Sequence, residues 1–336
     1  MKKLTLFDKL ILFINIILVI ALLFSFLSYY ISPNSFPIIS VLSLAIPIFI
    51  GLNLIFICYW ILRFKWPFLI SAFALLIGFQ YVSVLYNFKE KTVLLNDDLK
   101  IMSYNVRMFN FYKWIDKEHI DKDIVDFVNA KDPDVICFQE YHELVKLHLD
   151  FPYKYLEIYN KSNHTGQAIY SKYKIINKGS LNFSKTTNNA IFIDILKGKD
   201  TLRIYNVHLE SLKINPEKEE LTTENSERLK VRLETGFKIQ TNQVDLILQH
   251  QNQIKHKSVI CGDFNNTAFS WAYKKLKTNK NDAFEEAGQG FGSTFDFKFP
   301  IRIDFILADE TIEINNFKTY NVKYSDHFPI MTRLKF

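Results

Sequence analysis

The chain has 336 residues, 41 of them basic and 35 acidic, a formal charge of +6, and room for one large domain or two smaller units. Only five basic residues (Lys2, Lys3, Lys9, Arg63, Lys65) and one acidic residue (Asp8) precede Lys89, leaving 36 basic against 34 acidic residues after it. That near-neutral remainder counts against a dedicated nucleic-acid binder, although not against a local basic patch, and three cysteines (Cys58, Cys137, Cys261) exclude a disulfide framework and read as buried small hydrophobes.

Three uncharged apolar stretches come first, at about 10–31, 36–62 and 66–88. Each reaches the ~20 residues a helix needs to cross a bilayer. Residues 1–88 are therefore expected to form a three-helix transmembrane anchor. A cleaved signal peptide fits poorly, because the first run is too long, no small-residue cleavage site follows, and two further stretches succeed it. Lys2, Lys3 and Lys9 lie before the first stretch, and Arg63 and Lys65 lie between the second and third. The positive-inside rule then predicts a cytoplasmic N-terminus and an extracytoplasmic domain after Phe88. No charge interrupts the three stretches, which disfavours a transporter, since such proteins carry intramembrane ionisable groups.

Residues 89–98 are polar and have the composition of a linker. Alternating and compact apolar runs then predict strands at 99–106, 135–138, 168–170, 191–196, 202–209, 259–261, 303–307 and 330–334. Helical spacing marks 119–130 (Ile120, Ile124, Phe127, Val128 on one face) and most of 217–253, with a break near Gly236. Strands and helices alternate irregularly, which predicts an α/β or α+β domain with sheets at its centre. The charged run 213–232 reads as a solvated surface, with a lid beside the site as the alternative.

Several strand-like runs end in residues suited to binding a metal or a phosphate. Asn105 closes Ser103-Tyr104-Asn105-Val106-Arg107, and Glu140 closes Phe138-Gln139-Glu140. One carboxylate with an amide oxygen suits a hard cation that keeps its waters, such as Mg²⁺. Asp263 and Asn265 stand two apart in Gly262-Asp263-Phe264-Asn265, where extended geometry points them the same way. The carboxylate can orient or deprotonate water, and the amide can donate to a phosphate oxygen. His208 and His327 each sit at the end of a strand-like run, where an imidazole can stabilise phosphoryl charge or protonate a leaving oxygen. Asp304 is placed to fix the His327 tautomer, as triad carboxylates do.

In order, SYNVR, QE, GQAIYSK (166–172), NVHL, GDFN, RIDFIL and SDHFPI resemble the endonuclease/exonuclease/phosphatase superfamily, whose fold is that of deoxyribonuclease I. The resemblance covers 99–336. It implies a four-layer α/β sandwich (deoxyribonuclease I-like) and metal-dependent hydrolysis of phosphoesters. Carried over by motif, Asn105 and Glu140 hold Mg²⁺, with Mn²⁺ as the alternative ion, and Asp326 lies next to the metal. Asp263 activates water, Asn265 and His208 face the phosphate, and His327 acts with Asp304. Abasic-site enzymes similar to exonuclease III carry tyrosine at the position of His208, which points away from abasic-site repair. Lys174 departs from the proline common after Ser-Lys-x, in a loop away from the chemistry.

The expected activity is that of a membrane-anchored phosphodiesterase, nuclease or phosphatase. Its substrate is a phospholipid head group, a nucleotide or DNA, its other partner is the lipid bilayer, and no protein partner is inferred. Trp271, Tyr273 and Phe295 read as core, with base stacking or lipid contact as the alternative. A non-catalytic scaffold that retains the fold is the competing reading; it is disfavoured because every expected catalytic position is filled.

Overall fold

The computed structural model describes residues 4–213 and 223–336. They form two compact units, one drawn from Met1–Tyr86, Leu212–Thr241 and Thr267–Lys274, the other from Asn87–Ser211, Asn242–Asn266 and Lys275–Phe336.

In the first unit, α1 (Leu6–Ser25) opens on a capping box in which Thr5 and Asp8 satisfy each other's backbone N–H groups. It continues into a 3₁₀ turn, so that Leu6–Tyr29 makes 24 residues of helix, long and apolar enough to cross a membrane. The other two stretches depart from the expected unbroken helices. The second is a pair, α2 (Pro37–Ser43) and α3 (Ile46–Leu62), bent by 56°. Pro47 stands in the first turn of α3, where its missing N–H costs nothing but the helix cannot simply continue backwards. The third breaks at Gly78 into α4 (Phe68–Ile77) and α5 (Phe79–Leu85). A Cβ on Gly78 would lie 2.2 Å from the Phe26 ring, so only glycine fits there.

Several polar side chains of this unit are buried among apolar ones. Asn15 donates to Ser71 Oγ (2.7 Å) and accepts from Trp60 Nε1 (3.0 Å), all buried. Phe13, Ile48, Ile55, Phe73 and Leu76 face outward. Cys58 is exposed, contrary to expectation, because it lies on this apolar outer face. The Tyr29 hydroxyl donates to the Ala268 carbonyl, and Leu233 and Phe237 pack with Leu212, Val41 and Leu44. Those two residues belong to a helix, Thr223–Gln251, that runs through Gly236 without a break. The charged run and the expected helix start at 217 lie partly outside the described residues.

The second unit begins at Asn87. Residues 87–93, which overlap the polar segment 89–98, are hydrogen-bonded to the second unit: Asn87 N donates to Gly290 O, Lys91 N to Ala287 O and Val93 N to Asn315 O. Twelve strands follow: β1 (Leu99–Asn105), β2 (Val135–His142), β3 (Tyr153–Asn160), β4 (Thr165–Ser171), β5 (Ile175–Ser180), β6 (Asn189–Lys197), β7 (Asp200–His208), β8 (Ser258–Asp263), β9 (Lys280–Asp282), β10 (Asp304–Asp309), β11 (Glu313–Thr319) and β12 (Ile330–Lys335). They make two six-stranded sheets, ordered β11-β12-β1-β2-β4-β3 and β5-β6-β7-β8-β10-β9. β3, β5, β9 and β11 were not anticipated. β3 and β5 are edge strands with few buried side chains, so they lack a continuous apolar run.

The sheets pack face to face through Ile101, Cys137 and Ile169 from one, and Ile193, Ile204 and Cys261 from the other. The helix Ile120–Lys131 covers the outer face of the first sheet with Ile120, Ile124 and Val128. The C-terminal half of Thr223–Gln251 covers the second, where His250 meets the Tyr205 hydroxyl at 2.8 Å. The unit is thus a helix–sheet–sheet–helix sandwich of the α/β class expected, while Leu212–Thr241 and Thr267–Lys274 cluster with the first unit.

Candidate active site

The sheet topology gathers the predicted residues at one end of the sandwich. β1 runs parallel to β2, and β7 parallel to β8, so the C-terminal ends of each pair lie side by side. Asn105 pairs with Gln139 across the first, and His208 with Asp263 across the second. β10 is antiparallel to β8 and begins at Asp304, opposite Asp263. β12 is antiparallel to β1 and begins just after His327.

Local backbone conformation aims individual groups. The β2–β4 register shifts between Phe138 and Tyr141, and Glu140 within that bulge has φ 50°. A bulge re-aims a side chain that regular pleating would point elsewhere. Gly262 has φ +139°, and a Cβ there would sit 1.9 Å from the Val207 carbonyl. Glycine therefore lets β7 and β8 meet closely beneath His208 and Asp263. Asn265 departs from the expected extended geometry. It is left-handed (φ 48°), a conformation asparagine tolerates. Its N–H donates to Asp263 Oδ1 (2.7 Å) and its side chain to the Leu209 carbonyl (2.9 Å).

Asp263 lies at the centre. It is 1 % exposed and accepts from Asn105 Nδ2 at 3.0 Å. His208 Nε2 and His327 Nε2 stand 3.6 and 3.7 Å from its Oδ2. Burial pushes the Asp263 carboxyl up to about 6, against the pull of His327. His327 Nδ1 lies 2.9 Å from Asp304 Oδ2. Burial opposes charge on this ring, but Asp304 and Asp263 outweigh it and raise its pKa to about 10. Burial lowers the pKa of His208, which leaves that ring neutral near pH 7. Burial and the neighbouring carboxylates thus shift the two histidines in opposite directions around one carboxylate.

Glu140 accepts from Asn105 Nδ2 at 3.2 Å, and its side chain keeps 31 % exposure. Its pKa is raised first by burial and also by the Asp326 carboxylate. A carboxyl raised by burial and by a neighbouring carboxylate, with an amide beside it, forms a hard-oxygen donor set that suits a divalent cation. Among the described residues, the group of His and carboxylate ligand atoms that lie within 4.8 Å of one another is a different one, Asp263, Asp304 and His327. In that group the Asp304–His327 hydrogen bond uses Nδ1 and leaves Nε2, a nitrogen donor, whereas a hard cation prefers oxygen. The Glu140 side therefore suits such an ion better.

Arg107 was quoted with its motif but given no role. It reaches Asp326 at 3.1 Å and stacks on Trp114, 4.7 Å from the ring centroid. Residues 107–110 are all left-handed, with φ between 40° and 58°. Such strain gathers at functional sites. Ser325 Oγ donates to the Asn105 carbonyl (2.8 Å), tying the last motif to the first. Beneath the site, Gln139 Nε2 donates to Asn206 Oδ1 (2.7 Å), and Asn206 donates to the Phe138 and Ala168 carbonyls (2.8 and 3.1 Å). This buried amide bridge joins the two sheets. Its one sequence signal is that Asn206 precedes His208 by two and shares its strand face.

A profile of the endonuclease/exonuclease/phosphatase family matches residues 102–327 and spans every residue discussed at this site. The chain belongs to that family. It is a phosphoester hydrolase by its family and its filled site. Residues 8–85 match a separate domain of unknown function. No curated protein matches the chain. Among solved structures, the human Nocturnin catalytic domain with bound sulfate is 16 % identical, with a TM-score of 0.55 over 76 % of this chain and 98 % of that one. A mannosyl-6-phosphatase of Bacteroides thetaiotaomicron is 17 % identical, also at 0.55, over 71 % and 100 %. A humanised D. rerio TDP2 is 16 % identical, at 0.51, over 71 % and 99 %. At these identities the likeness is one of fold.

Proposed function

We propose that the chain is a membrane-anchored, Mg²⁺-dependent phosphoester hydrolase that activates water with Asp263. The observation that carries this is the single cluster joining Asp263 to Asn105, His208 and, through His327, to Asp304. Water attacks phosphorus, its proton passes to Asp263, and the P–O bond to the leaving group breaks. The Asp263 carboxyl, raised by burial, is a stronger base than a free aspartate. Protonated His327, oriented by Asp304, stabilises negative charge on the phosphoryl or leaving oxygen. His208 and Asn265 border the same carboxylate and face the phosphate. Glu140 and Asn105 would hold the divalent ion beside Asp326; such an ion supplies charge neutralisation and polarises the phosphoryl oxygens.

The first unit supports the anchor reading. Its polar side chains Asn15, Ser71 and Trp60 bond to one another inside it, and its outer side is apolar, the pattern of helices packed in lipid. By loop charge the N-terminus lies in the cytoplasm and the catalytic domain outside it.

The test compares the full chain with His327→Ala on supercoiled plasmid and on bis(p-nitrophenyl) phosphate, both with Mg²⁺. Hydrolysis of either substrate that vanishes in the variant supports the reading, and nicking would mark a nuclease. Equal turnover by both proteins would remove His327 from the mechanism.

A further inference from the structure

The loop that follows β1 is held in an unusual backbone conformation. Arg107, Met108, Phe109, Asn110 and Lys113 all have positive φ without being glycine, which costs energy unless surrounding contacts impose it. Phe109 supplies one such contact: it is buried, its ring 5.3 Å from Tyr141 and 5.8 Å from Phe138. Phe111 supplies another, stacked on the buried His142 at 4.0 Å and 20°. The loop thus rests on Tyr141 and His142, the two residues that follow Glu140 in β2. Asn110 closes it, its side chain donating to the Ile115 carbonyl and accepting from the Ile115 N–H, both at 2.9 Å. Lys117 lies over the Tyr324 ring at 5.2 Å, against the start of the last motif.

A loop fixed this firmly still leaves three rings in solvent. Phe111, Tyr112 and Trp114 are 46, 51 and 43 % exposed, whereas Trp271 and Tyr273, the rings that the sequence offered for stacking, are buried. Tyr112 and Trp114 lie 5.3 Å apart. The Arg107 guanidinium lies over Trp114, 4.7 Å from its ring centroid, and reaches Asp326 at 3.1 Å. With a C–N bond of about 1.3 Å, those contacts put the Trp114 ring within about 9 Å of the Asp326 carboxylate. A ring backed by a guanidinium and open to solvent takes a second flat ring well, and nucleobases stack on such rings whatever their sequence. A nucleic-acid polymer draws its affinity from a basic surface, and 36 basic against 34 acidic residues from Lys89 onward do not supply one.

We propose that Trp114, backed by Arg107 and flanked by Tyr112, is the stacking face for the base of a small nucleotide substrate whose phosphoester lies at Asp263 and His327. The loop is already fixed before substrate arrives, so stacking costs little ordering. Sugar phosphates and lipid headgroups lack the flat base and forgo this contact. The proposal rests on the hydrolase reading above and is independent of the anchor.

The full chain is assayed with Mg²⁺ on the p-nitrophenyl esters of adenylate and of ribose phosphate, which share the scissile bond and differ by the base. Wild type should favour the adenylate ester in kcat/KM by roughly five- to a hundredfold, the scale of one base–aromatic stack, and chiefly through KM. Trp114→Ala should close most of that gap, and Trp114→Phe, which keeps a ring, should preserve most of it. Calorimetry in EDTA reads the same contact without turnover: adenylate should bind more tightly than ribose phosphate, and Trp114→Ala should remove the difference. Equal kcat/KM for the two esters in wild type overturns the proposal, as does a preference that survives in Trp114→Ala. A single-stranded oligonucleotide cleaved at higher kcat/KM than the adenylate ester overturns the assignment to a small nucleotide. Wild type inactive on every ester refutes the hydrolase reading instead, and the calorimetry then decides base stacking by itself.

Discussion

Replacing Asp304 with asparagine removes one charge from the site and little else. Asparagine keeps the size of the side chain and an oxygen that accepts from His327 Nδ1, 2.9 Å away. The ring's pKa stands at about 10 against an ordinary 6.5. At about 1.36 kcal/mol per unit, that is on the order of 5 kcal/mol favouring the charged ring, shared between Asp304 and Asp263. Breaking a buried pair costs about 3–5 kcal/mol, and the ring escapes most of that by releasing its proton. A pKa raised in the folded state gives stability that is complete below the unfolded value and lost as pH rises through the folded one. The stability gap between wild type and Asp304→Asn should therefore be widest near or below pH 6.5 and close toward pH 10. Turnover of bis(p-nitrophenyl) phosphate at pH 7 should fall at least ~10². Thermal denaturation across pH, with NMR titration of the His327 ring assigned by His327→Gln, checks both points. A ring that stays protonated above pH 9 in Asp304→Asn, or unchanged turnover, would refute the charge assignment.

Glu140→Gln should weaken Mg²⁺ binding in calorimetry and shift the Mg²⁺ dependence of turnover to higher concentration, with the fold intact by circular dichroism. Gly262→Ala should destabilise by about 3 kcal/mol or more in urea titration, since its Cβ would meet the Val207 carbonyl at 1.9 Å with φ +139°. Gly198→Ala, also at positive φ but in open space, should cost only about 1 kcal/mol. Asn206→Ala removes an acceptor of Gln139 Nε2, which keeps Ser103 Oγ, and the side-chain donor to two buried carbonyls, and should cost about 1–3 kcal/mol, read by the same titration.

Much of the site was legible because its residues close apolar runs. Strand type follows from local pattern, and parallel pairing then brings strand ends together whatever the loops do. Asn105, Glu140, His208, Asp263, Asp304 and His327 could thus be named from order alone. The edge strands β3 and β5 could not, because an exposed strand needs no apolar run and its pairing is supplied by a neighbour distant in sequence. The three apolar stretches were visible for the same reason as the core strands, but their interruptions were not. The bend before α3 and the break at Gly78 depend on proline placement and on the Phe26 ring packed against that glycine.

Composition and periodicity determined the class of each segment and the chemistry its polar residues can perform, since both are properties of short windows of chain. Only the tertiary structure decided which carboxylate lies between the two histidines, in which direction each histidine's pKa is shifted, and that Arg107 faces Asp326. Those outcomes depend on burial and on distances between residues as much as 220 positions apart, as with Ser325 and Asn105. No local pattern encodes an electrostatic field that the fold itself creates.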